Sequence, residues 1–442
     1  MSTNVRASDS IWRDAIDVDL ARHPGGSIDA DVAVIGSGLG GLSAALHLLL
    51  TRPGRSVVVL EASQLGHGAS SRSAGMLTPG VGQNLPGIIR RAGKASAKAM
   101  YEATLHAVEY AGELTREQDI DCQLRMSGQL AIAHGRSGRH RLAVVAAALG
   151  QLGLPHETMN DAQLSETLRL AVVAGGRGPA ALRLPIAGVL NPGLLVSGLA
   201  RAVMRRGGRL YSGARVLAIG RGRPVHLPIA GGGEVRARDV VVATSAYSES
   251  LGVQRGRVIP VHLRVLLTAP LDDRQLDRLG WAGREGVIDS RRIFNYFRLT
   301  EDRRVLFGGG VPIYRKGGAT DEHGSRDVFD PLRGELAATF GEDLGLRVER
   351  AWSGPIGYVL DTLPVIQRLH THPSVVFVGG WCGHGIALSL RSGKWVADII
   401  DGAAAPADLP WFRAAAPLVP FEPVRRIAVP ACSWGMSLLD RL

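Results

Sequence analysis

The chain has 442 residues, 45% of them apolar and spread along its length, which is enough for two domain-sized cores and argues against a disordered protein. Its formal net charge of +11 comes almost wholly from arginine, with lysine only at Lys94, Lys98, Lys316 and Lys394. The basic pairs Arg205–Arg206, Arg291–Arg292, Arg303–Arg304 and Arg425–Arg426 are scattered and only 5% of residues are aromatic, so arginine is expected to replace lysine on an ordinary solvated surface rather than to bind nucleic acid.

The first 27 residues are polar, carry both signs of charge and contain no apolar h-region, so no secretory signal is expected. Residues 44–50 form the most apolar run and are too few to cross a membrane. Cys122, Cys382 and Cys432 are far apart without metal-ligand spacing; the expectation is a cytoplasmic chain with no disulfide and no metal site.

Residues 31–35 (Asp-Val-Ala-Val-Ile) read as a buried strand, the glycine turn 36–41 follows, 42–50 read as a buried helix, and 56–60 as a second strand. This β-α-β unit implies a parallel sheet with a right-handed crossover. A glycine- and serine-rich loop spans 66–82, an amphipathic helix 88–118, a strand 128–134 and a helix 139–152. Asn191-Pro192-Gly193 opens a helix to about residue 206, a strand covers 209–219, and 225–238 read as a hairpin around Gly231-Gly232-Gly233. Residues 239–244 read as a further buried parallel strand, strands dominate 257–310, and a last strand at 375–378 leads into a glycine-rich bend and a helix over 386–400. The fold expected is α/β: a Rossmann-type domain with a parallel central sheet, assembled from 1–90, 190–250 and 351–442, beside a mostly antiparallel sheet domain with helices from 91–189 and 251–350.

Gly36, Gly38 and Gly41 fit G-x-G-x-x-G between a strand and a helix. The first glycine permits the turn, the second leaves room for a pyrophosphate, and the third lets helix and strand approach. The open N–H groups of the helix start, with Leu39 and Gly40 among them, suit phosphate. Glu61 ends the next strand, where a carboxylate accepts ribose hydroxyls and repels a 2′-phosphate.

From these residues onward, over about 11–442, the chain resembles the FAD-dependent oxidases of the D-amino-acid-oxidase superfamily, and among them the amine-oxidising branch that includes γ-glutamylputrescine, sarcosine and glycine oxidases. Six ordered motifs carry the resemblance: residues 31–45; 68–76 (Gly-Ala-Ser-Ser-Arg-Ser-Ala-Gly-Met); Ala214-Arg215-Val216; 241–244; Asp361-Thr362-Leu363-Pro364-Val365-Ile366; and 379–386 (Gly-Gly-Trp-Cys-Gly-His-Gly-Ile). The resemblance implies non-covalent FAD. Ala62 would lie beside the ribose; Ser70, Arg72, Ser73, Ala74, Gly75 and Met76 along the pyrophosphate and ring; and Val216 would pair with adenine. Thr244 and Gly354 would border the cofactor. Gly380, Gly383, His384, Gly385 and Ile386 would face the flavin's pyrimidine edge, where a helix start stabilises charge on the reduced ring. Cys382 stands where the family has serine and is expected to be a small polar replacement.

The chemistry implied is oxidation of a carbon–nitrogen bond in an amine or amino-acid-like substrate, with hydride passing to flavin N5 and the imine hydrolysing to a carbonyl compound. The electrons go on to O2, giving H2O2, or to an electron carrier, as in an N-substituted or D-amino-acid dehydrogenase. The protein supplies placement and electrostatics. Glycine oxidase-like members carry a carboxylate-clamping arginine shortly after Trp-x-Gly, where this chain has Ile356, so a free α-carboxylate would lack a bidentate partner. Leu306 stands where sarcosine oxidases place an oxygen-activating lysine. Substrate contacts are expected on the strand 294–298, with Asn295 and Phe297 on one face and Phe294, Tyr296 and Arg298 on the other, and near His262, Arg264 and Tyr358. Tyr296, Arg298 and His384 are the expected catalytic set.

Overall fold

The computed structural model describes residues 9–82, 84–172, 175–321, 328–413, 416–419, 421–425, 431, 435–436 and 440; Arg426 and Cys432 lie outside them. In chain order the elements that matter here are β1 (Ser27–Ile35), α1 (Leu39–Thr51), β2 (Val57–Leu60), α2 (Leu85–Glu117) and β3 (Gln129–Ile132). They continue with α3 (Pro192–Arg205), β4 (Arg209–Ser212), β5 (Glu234–Val242), β6 (Ile259–Thr268), β7 (Tyr296–Leu299) and β8 (Val305–Ile313). The last are α4 (Asp330–Phe340), β9 (Val348–Tyr358), β10 (Val365–Leu369), β11 (His372–Gly379) and α5 (Gly385–Ile400).

The first sheet runs β4-β2-β1-β5-β11-β10, parallel except for β10. Val57 to Leu60 are buried to the last residue, as a strand covered on both faces must be. One face carries α1, α2, α3 and α5; the other packs Val225, Leu227, Val240, Val242 and Phe377. The second sheet places β9-β6-β8-β7 beside Gly286–Asp289 and then β3. Its neighbours are antiparallel except where Gly286–Asp289 meets β3. α4 covers the back of this sheet with Leu332, Leu336 and Phe340 against Phe297 and Phe307. The front face presents Val265, Leu267, Leu306 and Trp352, which cluster with Trp12 and Ala74 of the first half.

Three expectations shift. The hairpin's second arm and the buried strand over 239–244 are one element, because β5 starts at Glu234 and runs on beside β1 and β11. The strand over 209–219 stops at Ser212, where Gly213 turns with φ +64° and the Ala214 N–H donates to the Glu61 carbonyl. A boundary at 350/351 falls inside β9, which is hydrogen-bonded to β6 along its length and so belongs to the second sheet. Arginine also departs from the solvated-surface reading: Arg55, Arg72, Arg139, Arg264, Arg298 and Arg425 are buried. None of the described helices is long and apolar enough to cross a membrane.

α1 and α5 pack side by side and point the same way: Gly40 lies against Ser389, Ser43 against Leu390 and Gly393, and Thr51 against Asp401. The Ser43 hydroxyl donates to the Leu390 carbonyl at 2.6 Å, and a Cβ on Gly393 would overlap the Ser43 backbone. At their far ends Arg55 reaches both the Leu48 carbonyl and the Asp401 carboxylate, and Arg368 donates to Ile399 O, so cations sit where both helix dipoles are negative.

His47, on α1, is buried; its Nδ1 meets the Ser43 carbonyl at 2.6 Å and its Nε2 meets the Tyr110 hydroxyl. The neutral ring satisfies both partners, donating from Nδ1 and accepting at Nε2. Burial lowers its pKa from the usual 6.5 to about 4. Between those values the unfolded chain binds a proton that the folded chain refuses, so stability falls as pH drops from 6.5 toward 4. Urea unfolding of wild type should lose about 2 kcal/mol more between pH 6.5 and 5 than His47→Gln loses.

Candidate cofactor and substrate site

The glycine turn is built as its spacing requires. Gly36 has φ +102°, and a Cβ on Gly41 would overlap the Gly36 carbonyl oxygen. The Ser70 hydroxyl accepts from Leu39 N–H at 3.0 Å, which brings the loop 68–76 onto the start of α1. Leu42 N–H is the first to close an intrahelical bond, onto Gly38, and the Gly40 and Gly41 amides before it lie open. Glu61 accepts from Ser37 N–H at 3.1 Å, the Ser37 hydroxyl at 2.7 Å and Ser63 N–H at 2.9 Å, so it organises the turn; Ala62 beside it is exposed. Val216 faces Ile229 across a bridge whose hydrogen bonds run from Leu217 and Ala230. Its own N–H and C=O point the other way and meet no partner among the described residues.

Two tryptophans from opposite halves pin the next stretch of loop. Trp352 Nε1 donates to Arg72 O at 3.0 Å, and Trp12 Nε1 donates to Ser73 O at 2.8 Å. Gly354 on β9 leaves room for Arg72 to cross, since a Cβ there would overlap Arg72 Cδ. Met76 pairs with Val189. Ser37 and Trp12 were not among the expected site residues. Ser37 occupies an unrestricted position of the glycine motif, and Trp12 stands alone in a polar segment.

At the other end, β11 leads into Gly380 and Gly383 with φ +77° and +87°, and α5 begins at Gly385 with no side-chain cap. The Trp381 ring would lie 3.6 Å from a Cβ on Gly40, so the two glycine-rich segments meet. Thr244 closes over the same point: its hydroxyl is 2.8 Å from Ser248 Oγ and its methyl would sit 3.6 Å from a Cβ on Gly36. Cys382 accepts at Sγ from Val359 N–H at 3.2 Å and is buried, which pushes its thiol up to about 12 and keeps it from acting as a thiolate. Burial lowers the His384 pKa, so the ring facing this bend is neutral at pH 7.

On the second sheet the alternation holds. Asn295 and Phe297 face the α4 side, whereas Tyr296 and Arg298 face the loop. Tyr296 packs beside Met76, Leu306 and Trp352, and its hydroxyl has no hydrogen-bond partner among the described residues. Burial raises its pKa, so it stays protonated. Arg298 donates to the carbonyls of Leu190 at 2.6 Å, Gly75 at 3.2 Å and Ala74 at 3.4 Å, with Trp12 stacked 5.5 Å away. That places it as the holder of the loop. His262 meets Ala319 O at 2.9 Å, and Arg264 donates to Val311 O at 2.9 Å and to Val328 O; neither reaches the loop. Ile356, on β9, would be 3.8 Å from a Cβ on Gly383.

These groups fit FAD. Open amides at α1 suit a pyrophosphate, Glu61 a ribose, the unpaired Val216 backbone an adenine edge, and the uncapped start of α5 the electron-rich edge of a reduced flavin. The sequence pattern of the family described as FAD dependent oxidoreductase matches residues 31–399. The chain is 31% identical to gamma-glutamylputrescine oxidoreductase of Escherichia coli (strain K12), covering 94% of each chain. It is 24% identical to glycine oxidase of Bacillus licheniformis over 84% of this chain and 93% of that one. The crystal structure of glycine oxidase from Geobacillus kaustophilus shares its fold, with a TM-score of 0.69 at 23% identity over 87% of this chain and 98% of that one.

Replacing Glu61 by alanine removes an acceptor of three hydrogen bonds that organises the glycine turn. FAD titrated into the apoprotein should then bind at least about tenfold more weakly, as expected for losing charge-assisted hydrogen bonds.

Proposed function

The chain belongs to the FAD dependent oxidoreductase family, and on that premise we propose that it oxidises the carbon–nitrogen bond of an amine carrying no free α-carboxylate beside the reacting carbon. One observation carries this reading. Apolar Ile356 faces Gly383 at the start of α5, and Arg72 and Arg298, the buried arginines beside the loop, donate to backbone carbonyls. A carboxylate there would be desolvated without a bidentate partner, which disfavours it by several kcal/mol. The 31% identity to a protein named for γ-glutamylputrescine, an amine, supports the same substrate class.

When bound, FAD supplies the two-electron acceptor for the C–H bond next to nitrogen. The protein's residues do the rest. The Tyr296 hydroxyl is free to hydrogen-bond and orient the substrate. Trp12, Val265, Leu267, Leu306 and Trp352 keep water from that face. His384, neutral, holds the bend without placing a second positive charge near the amine. The uncapped N–H groups at the start of α5 would stabilise negative charge developing on the bound flavin. The imine hydrolyses to a carbonyl compound and an amine or ammonia, and dioxygen is the final acceptor, leaving as hydrogen peroxide. A second reading, transfer to an electron carrier, draws on fully buried Leu306, which offers no cation to activate oxygen; peroxide formation separates the two.

Mixed anaerobically with the holoenzyme, amines lacking an α-carboxylate should bleach the flavin. Bleaching by α-amino acids alone would refute the assignment. Ile356→Arg should raise kcat/KM for glycine about tenfold or more, as one good guanidinium–carboxylate pair would.

A further inference from the structure

Residues 400–442 follow the region matched by the family pattern, yet the described part of this tail is anchored to the body of the molecule. Trp411 is fully buried, and Arg413 grips the Asp361 carboxylate and the Leu363 carbonyl at 3.0 Å. The Ala416 carbonyl accepts from Arg257, and Val419 N–H donates to Gly256 O at 2.8 Å. The Glu422 carboxylate accepts from Gly317 N–H at 2.7 Å. Far along the tail, the Asp440 side chain, 5% exposed, accepts from Arg292 N–H at 2.8 Å and Ile293 N–H at 3.3 Å on the loop that enters β7, and it pairs with Arg292 and Arg141.

Between these anchors lies Val419. It is buried and clusters with Ile259 and Val261 of β6; Ile356, Tyr314 and Tyr358 pack against that cluster, and Ile356 Cδ1 would lie 3.8 Å from a Cβ on Gly383. A branched side chain fixed by its own backbone hydrogen bond leaves Ile356 little room to recede, because packed interiors transmit the loss of a single methyl. Polar anchors at Arg413, Ala416, Val419, Glu422 and Asp440, with Trp411 and Ala416 packed into the cores, fix the described part of the tail to both halves of the molecule.

We propose that this tail forms a wall of the substrate site and that Val419 is a specificity-determining residue, setting through Ile356 how large an uncharged substituent the amine can carry. This rests on the reading above that Ile356 borders the substrate.

The test uses full-length holoenzyme with Val419→Ala and Val419→Leu. Kinetics run over n-propylamine to n-hexylamine, and acrylamide quenching of the flavin fluorescence gives a readout that needs no substrate. Val419→Ala should move the preferred chain length up by one or two methylenes, change KM for the shortest amine about fivefold, leave kcat within about twofold, and raise the quenching constant about twofold; Val419→Leu should move the preference down. The FAD dissociation constant should stay at the wild-type value in both. Wild-type chain-length preference and wild-type quenching in both variants would overturn the proposal. Should no amine bleach the wild-type flavin, the proposed reaction fails, and the quenching constants alone decide whether Val419 walls the site.

Discussion

Two parallel helices decide where everything else in this site goes. α1 and α5 are more than 340 residues apart in sequence, and they touch through small side chains, with Gly393 seated on Ser43 and Gly40 beside Ser389. Because they run in the same direction, both positive ends open on the same side of the sheet, a few ångströms from each other across Trp381. Such a pair is unfavourable by itself, since like dipole ends repel. Arg55 and Arg368 relieve the negative ends at the back, and a bound anionic cofactor would relieve the positive ends in front. The site is thus an electrostatic consequence of how the helices pack, and the open amides of Gly40, Gly41 and the start of α5 are its expression.

The second half of the molecule contributes shape rather than charge. Its front face is apolar, its Trp352 donates to the Arg72 carbonyl, and its buried cation beside the loop, Arg298, is consumed in holding Ala74, Gly75 and Leu190. Burial lowers the Arg298 pKa to about 10, still high enough to keep it charged at neutral pH, so three carbonyls receive a strong donor. The same logic accounts for buried Arg72, Arg139 and Arg264, each bonded to backbone carbonyls. Much of this chain's arginine is therefore architectural.

What the sequence made legible was local. Gly36, Gly38, Gly41 and Glu61 lie within one β-α-β unit, so their spacing carries their geometry. The start of α5 was readable for the same reason, and strand alternation correctly separated Tyr296 and Arg298 from Asn295 and Phe297. The family resemblance, borne out over residues 31–399, added the pairing of the first and last segments, which no local pattern contains. What stayed hidden depends on long-range contacts. Nothing near Trp12 announces that its indole meets Ser73. Nothing in the sequence 294–298 tells that Arg298 turns to carbonyls of Leu190 and Gly75 rather than to a substrate. The boundary inside β9 was invisible because its partner strand, β6, lies about ninety residues earlier in the chain.

The most direct test of the central claim measures FAD binding to the apoprotein by titration calorimetry and visible absorbance, for wild type and for Gly393→Ala, a methyl inserted where the two helices touch, about two turns past the start of α5. The account predicts one FAD per wild-type chain and an affinity at least about tenfold lower in the variant, because overpacking of this kind costs about 1–3 kcal/mol and here spreads the two helix starts. An apoprotein that takes up no FAD, or a folded Gly393→Ala variant that binds it as tightly as wild type, would contradict it.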